Sequence, residues 1–269
     1  MIHPTSGSPA GERYVIPNLR NACRILKLLG AGQDGLRAAD IARQMGIPVT
    51  TTLRIMKTLH VENLVRKDGA RYELGPVLIQ LGNAALAGTE MRTAALPVLM
   101  KLTAQVDETS HLAIACDGRS LIVAVQDGPH PLRAASRPGF LADLHCSSTG
   151  KIFLAFAFHD RLAALYSGAR PAKRTTHTHT TLKDIRRDCE LTRRRGYSVD
   201  DEEFNLGVRC LAAPVFASDG TVAAAIGVTA ATVRFTKERI PGIAAAVKDA
   251  ATGLSRLLGY DAAGAPPGE

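Results

Sequence analysis

The stretch "LHCSSTGK", Leu144–Lys151, sets a histidine beside a cysteine, then a run of hydroxyls, then Gly-Lys. A phosphate loop needs Gly, any four residues, Gly-Lys and then Ser or Thr, whereas here His145 occupies the first glycine position and Ile152 follows the lysine. A Cys-His pair fares no better, because neighbours on an extended segment point to opposite sides. Ser147 and Ser148 lack the Gly-x-Ser-x-Gly elbow of a serine nucleophile. A thiol- or serine-type enzyme using Cys146 or Ser148, with the N-terminal part as an adaptor, is therefore the weaker alternative, and the chain is expected not to be an enzyme. What the residues do offer is an anion site. Ser147, Ser148 and Thr149 precede a helix predicted to start near Gly150, so their hydroxyls and free N–H groups gather at the positive end of a helix dipole, where a carboxylate fits. Ordinary N-capping explains the same residues more simply.

Metal chemistry has thin support. His177 and His179 in "THTHT", and His145 with Cys146 and Cys210, supply too few ligands for a site, so no metal and no cofactor is expected. Cys23, Cys116, Cys146, Cys189 and Cys210 show no CxxC spacing and are odd in number, which argues against both a disulfide framework and a zinc ribbon. The longest apolar windows, Leu211–Val215 and Val222–Val228, fall well short of the roughly 20 residues of a membrane span. The opening "MIHPTSGSPAGER" lacks the pattern of a secretory signal, so a cytoplasmic protein without membrane partners is expected. With 269 residues, 46% hydrophobic and 22% charged, the chain is long enough for two domains.

The elements that must position such a site begin at a basic N-terminal end. Of the net charge of +8, more than half falls on residues 1–75, which hold 11 Lys and Arg against 6 Asp and Glu. Leu19, Ala22, Cys23, Leu26 and Leu29 recur at helical spacing. A second short helix spans Leu36–Met45 and stops at Gly46, and Pro48 fits the first turn of a third. There Ile55, Met56 and Leu59 face the core, leaving Thr50, Thr51, Leu53, Arg54 and Lys57 outward. Short polar residues let such a helix enter a major groove, Arg54 can read guanine bidentately, and Lys57 can meet phosphate. "LVRKDGARYEL" then predicts a hairpin about Asp68-Gly69, with Arg66, Lys67 and Arg71 placed along a phosphate backbone. Helix-turn-helix, wing and local charge together predict a double-stranded DNA partner.

"LRNACRILKLL", "LRAADIARQMGIPVTTTLRIMKTL" and "LVRKDGARYELG" resemble the three helices and wing of the isocitrate lyase regulator (IclR) family of bacterial transcription factors. The resemblance continues through "LHCSSTGKIFLA", "RRRGYSVDDEEFNLGVRCLAAPVF" and "AAAIGV", from about Leu19 to about Gly259. It departs at Val49–Thr52, where the family often has a basic residue and then Ser-Thr-Val, and this chain has "VTTT".

Downstream, "GPVLIQLGNAALAGTEMRTAALPVLMKLTAQV" predicts helix broken at Pro97, with Leu78, Leu81, Ala85, Leu96, Leu99 and Leu102 serving either as core or as a dimer seam. Strands follow in "SHLAIACDGRSLIVAVQDGP" and at Tyr197–Glu203, Val208–Phe216 and Val222–Thr229, with helices at Gly150–Phe158, Leu182–Arg195 and Lys237–Leu258. The expected fold class is α+β: a winged helix-turn-helix at residues 18–75, a helical linker at 76–92 and an effector domain at 93–260, with disordered tails at 1–17 and 261–269. The resemblance implies that the last domain is GAF-like. It also implies that Ser147–Gly150 wall an effector pocket, and that Asp200, Cys210, Gly227 and Thr229 match positions near the effector. Where relatives commonly carry serine, Gly227 is expected to make room for a bulkier ligand, whereas Asp201–Glu203 read as a solvated turn. The partners expected are operator DNA, a small organic acid or aromatic carboxylate, and further copies of the chain as a homodimer or homotetramer, since paired half-sites require paired heads. An architectural DNA-binding protein without a ligand is the third alternative.

Overall fold

Apolar residues at helical spacing give the first part of the chain three short helices around one core. In the computed structural model, which describes residues 14–31, 35–87, 90–134, 136–167 and 170–261, α1 (Pro17–Ala31) buries Ile25 and Leu29. The next helix, α2 (Ala38–Met45), buries Ile41 and Ala42, and α3 (Val49–Val61) buries Thr52, Ile55, Met56 and Leu59. Gly46 ends α2 at φ 65°, the left-handed conformation that a side chain disfavours. Pro48 precedes α3 as its cap residue and is not in its first turn; its carbonyl accepts the Thr52 N–H.

The pair Leu36 and Arg37, expected at the start of the second helix, instead forms β1 (Leu36–Arg37). It is drawn off by antiparallel pairing with Tyr72 and Arg71. β2 (Val65–Asp68) and β3 (Arg71–Leu74) make the hairpin, giving the order β1-β3-β2. α4 (Val77–Ala87) follows. The chain divides into two units, Met1–Gly88 and Thr89–Glu269. Of the expected tails, residues 1–13 and 262–269 lie outside the described residues, and α1 already begins at Pro17.

The second unit opens with α5 (Glu90–Val106), which continues through Pro97 where a break was expected. Pro97 lies on an exposed side, so the Thr93 carbonyl it leaves without an N–H can reach water. Six antiparallel strands follow in the order β6-β5-β4-β9-β8-β7. They are β4 (Thr109–Cys116), β5 (Arg119–Gln126), β6 (Leu141–Asp143), β7 (Ser198–Asp201), β8 (Val208–Phe216) and β9 (Val222–Ala231). On one face pack α5, through Leu99 and Leu102, and α9 (Ile240–Leu257), through Ile243, Val247 and Leu254. On the other lie α6 (Ser148–Phe156), α7 (Leu162–Leu165) and α8 (Leu182–Arg195), whose Ile152, Leu154, Leu162 and Ile185 join Ala113, Ala212 and Ala225 of the sheet. Leu99 and Leu102 are thus core residues of this unit, while Leu96 and Leu81 remain exposed. Helix layers on a curled antiparallel sheet in one unit and a winged helix-turn-helix in the other make the α+β architecture expected from the sequence.

Candidate functional site

On the first unit, α3 presents Thr50, Leu53, Arg54 and Lys57 to solvent, with Thr51 half-buried. Arg54 and Lys57 enter no ion pair among the described residues, so their charge is available to a polyanion. The wing cations differ. Arg66 donates twice to Glu73 across the hairpin, at 2.9 and 2.5 Å, and Arg71 donates to the Gly35 carbonyl at 2.6 Å. Lys67 stands 5.8 Å over the ring of Tyr72. These contacts brace the hairpin and tie it to the segment before β1.

On the second unit, a cavity of about 280 Å3 lies between the start of α6 and the sheet. Its wall includes Ser147, Ser148 and Thr149 from the helix start, and Asp200, Cys210 and Thr229 from β7, β8 and β9. Antiparallel register explains the second group: Asp200 stands opposite Cys210, and Cys210 opposite Thr229, so the three share one face in one row. The Cys210 thiol donates to Thr229 Oγ1 at 3.1 Å. The helix begins two residues before Gly150. Ser147 is its N-cap, with Oγ donating to the Asp143 carbonyl at 2.6 Å and accepting from the Gly150 N–H at 3.2 Å. Capping leaves room for an anion, because Ser147 satisfies Gly150 while among the described residues the N–H groups of Ser148 and Thr149 have no backbone partner.

Gly150 and Gly227 do not line the cavity. A Cβ on Gly150 would meet Leu144 Cα at 2.5 Å, so this glycine lets α6 pack against the preceding segment. On Gly227 it would lie 2.6 Å from the Leu211 carbonyl and 3.2 Å from His111 Nε2. The expectation that Gly227 opens space for a ligand is therefore corrected: the space belongs to the β8 backbone and the His111 ring. His111, which the sequence did not single out, lines the cavity beside Ile122, Phe140 and Phe204. Burial lowers its pKa to about 4, so the imidazole is neutral, and among the described residues its buried Nδ1 has no hydrogen-bond partner.

The acidic run is also corrected. Glu203 is buried and pairs with Lys151, whose Nζ lies 2.9 Å from Asp188 Oδ2 and donates to the Val199 carbonyl at 2.8 Å. Burial opposes the Lys151 charge, but Asp188 and Glu203 outweigh it and hold the pKa above the usual lysine value. Of the other two members, Asp201 stays partly exposed and pairs with Arg209 at 2.5 Å, and Glu202 Oε1 accepts the Gly207 N–H at 2.7 Å. Asp200 Oδ1 accepts the N–H groups of Glu203 and Phe204, at 2.8 and 3.2 Å, which fixes the turn that carries Phe204 to the cavity. Burial pushes the Asp200 carboxyl up to about 7, with Glu203 adding to the effect and Lys151 opposing it.

The reactive candidates fall away. Cys146 is fully buried and burial pushes its thiol up to about 12, so no thiolate forms near neutral pH. His145 turns from it to the Ala172 carbonyl, 2.8 Å from Nε2. At "THTHT" it is threonine that acts, Thr178 Oγ1 donating to the Glu203 carbonyl at 2.6 Å, as Thr175 Oγ1, just before that stretch, does to the Glu202 carbonyl at 2.7 Å. Among the described residues no group of three or more His, Cys, Asp and Glu is placed to hold a metal ion, and no helix is long and apolar enough to cross a membrane.

Residues 19–69 match the family described as IclR helix-turn-helix domain, and residues 83–256 match that described as Bacterial transcriptional regulator IclR C-terminal. The chain belongs to the IclR family. Among curated IclR relatives, it is 33% identical over 251 residues to the glycerol operon regulatory protein of Streptomyces coelicolor, covering 91% of this chain and 97% of that one. It is 28% identical to the transcriptional repressor IclR of Escherichia coli, covering 91% and 90%. A solved IclR transcriptional regulator from Alicyclobacillus acidocaldarius superposes with a TM-score of 0.81 at 27% identity, covering 91% of this chain and all of that one. An IclR homologue from Microbacterium hydrocarbonoxydans, solved in complex with 4-hydroxybenzoate, shares the fold at 22% identity with a TM-score of 0.76, covering 90% and 98%. As a member of the IclR family, the chain is a DNA-binding transcription regulator and not an enzyme.

Proposed function

We propose that this regulator is controlled by a small organic acid or aromatic carboxylate held in the second unit, in the cytoplasm where its operator lies. The observation that carries the proposal is the cavity itself, bounded on one side by the N-terminal turn of α6 and on the other by the Asp200–Cys210–Thr229 row. A carboxylate at the helix start meets N–H donors and the positive end of the dipole. Ile122, Phe140, Ala142 and Phe204 supply an apolar surface for the remainder of the ligand. The 4-hydroxybenzoate bound by the Microbacterium protein agrees in chemistry with such a site.

Thr50, Thr51, Leu53, Arg54 and Lys57 of α3, with Arg66, Lys67 and Arg71 of the wing, form the surface offered to DNA. Two copies reading two half-sites, as a homodimer or as half of a homotetramer, match a palindromic operator. The ligand shifts operator occupancy by its unequal affinity for two arrangements of the heads. A footprint on the region upstream of the gene, repeated with a panel of carboxylates, tests both parts. A protected palindrome whose occupancy changes with one acid is expected; protection indifferent to every acid would leave only the architectural alternative.

A further inference from the structure

His111 combines three properties that a core histidine rarely shows together. It is 4% exposed, it lines the cavity, and its Nδ1 is buried without a hydrogen-bond partner among the described residues. Leaving such a nitrogen unpaired is costly, and a polar group from outside the fold would relieve it. The ring is also fixed in place. His111 stands opposite Gly227 in the β4–β9 register, and Gly227 stands opposite Ala212 in β8. Those two small residues make the floor over which the imidazole lies, and any Cβ at 227 would press on its Nε2.

The chemistry of the partner follows from the donors around it. A carboxylate is drawn to the first turn of α6, where Ser148 and Thr149 carry N–H groups without backbone partners among the described residues and Thr149 Oγ1 is tied to Ser120 Oγ at 2.7 Å. The Nδ1 of a neutral imidazole is a donor in one tautomer and an acceptor in the other, and a hydroxyl can meet it in either. Resting on the carboxylate reading above, we infer that His111 hydrogen-bonds a second oxygen of the ligand and selects hydroxylated carboxylates over plain ones. Asp200 Oδ1 holds two backbone N–H groups and the Cys210 thiol is given to Thr229, while Ser136, Ser148, Asn205 and Thr229 bring further polar groups to the wall, so substitution of His111 itself separates the part of the imidazole from theirs.

The test measures binding of benzoate and its 2-, 3- and 4-hydroxy derivatives to the full chain by calorimetry, beside the unfolding temperature of the ligand-free protein. At least one hydroxybenzoate is expected to bind about fivefold or more tighter than benzoate, the factor of one hydrogen bond. In His111→Leu that ratio falls to about one through loss of hydroxybenzoate affinity, while His111→Gln, which keeps a donor and an acceptor, retains part of it. Because leucine removes an unpaired nitrogen, the ligand-free unfolding temperature of His111→Leu holds or rises; a fall of more than about 4 °C would mark His111 as structural and overturn the inference. Equal binding of all four acids, or a preference that survives His111→Leu, overturns it alone. No binding of any of the four to the unsubstituted protein removes the aromatic-carboxylate reading, and the inference with it.

Discussion

The ammonium of Lys151 lies 2.9 Å from Asp188 Oδ2, inside the second unit, with Glu203 on its other side. Through this one buried side chain α6 is tied both to α8 and to the turn that follows β7. Lys151→Met would strip the buried Glu203 and the half-buried Asp188 of their nearest counter-charge, leaving the Arg195 guanidinium as a weaker one. Breaking one partner of a buried pair in this way costs about 3–5 kcal/mol, so denaturant unfolding of the variant is expected to shift by that amount. A shift below about 1 kcal/mol would mean that water already screens the cluster as it does surface pairs.

Asp200 gives a pH dependence whose sign is fixed by its environment. Lys151 from α6, Glu203 from the turn, Cys210 from β8 and His111 from β4 surround it, with Asp188 beyond Lys151. Its folded pKa of about 7 stands above the ordinary 3.8, so its contribution to stability is complete below the ordinary value and fades as pH rises through about 7. A protonated Asp200 also spares a bound carboxylate a like-charged neighbour. Affinity for a carboxylate ligand is accordingly expected to fall above pH 7, by up to about tenfold per pH unit. In Asp200→Asn both dependences flatten, which titration calorimetry and melting curves across pH 5–9 read directly.

On the DNA side, Arg54 and Lys57 should behave differently. Arg54→Ala is expected to weaken the operator by about 1–3 kcal/mol and relax sequence preference at one position, as loss of a base contact does. Lys57→Ala should weaken all sequences alike and lower the salt slope by about one. Gel shifts on operator and scrambled duplexes at several salt concentrations separate the two patterns. Identical losses on both duplexes for Arg54→Ala would place that side chain on phosphate.

How much of this was legible in the sequence depends on how local the cause is. The spans Leu182–Arg195 and Val208–Phe216 coincide with α8 and β8, because apolar period, Gly196 and the turn at "SDG" act within a few residues. The face of α3 was legible for the same reason. His111 was not, since "SHLAIAC" is an ordinary alternating strand until Gly227, more than a hundred residues on, is paired with it. Glu203 was misplaced in solvent because nothing near "DDEE" shows that Lys151, 52 residues earlier, reaches it, nor that Thr178 anchors its carbonyl. Pro97 was taken for a break because the rule against proline in helices does not reveal which side of the helix it occupies.

Phe204 supplies the last prediction. Its ring meets Phe140 edge-on at 5.9 Å, and the Arg174 guanidinium, itself paired to Asp143 at 2.6 Å, stacks on it at 5.2 Å. These contacts hold an aromatic wall across the cavity from the helix start. Phe204→Ala removes the wall and the edge-to-face pair, worth about 0.5–1.5 kcal/mol beyond its buried area, but leaves the polar row and the α6 terminus untouched. Ligand affinity is expected to fall about tenfold or more for an aromatic carboxylate and far less for a two- or three-carbon acid, which lacks the apolar body to reach that wall. Equal losses for both classes, measured by calorimetry, would show that Phe204 acts by holding Asp200 in its turn and not by touching the ligand.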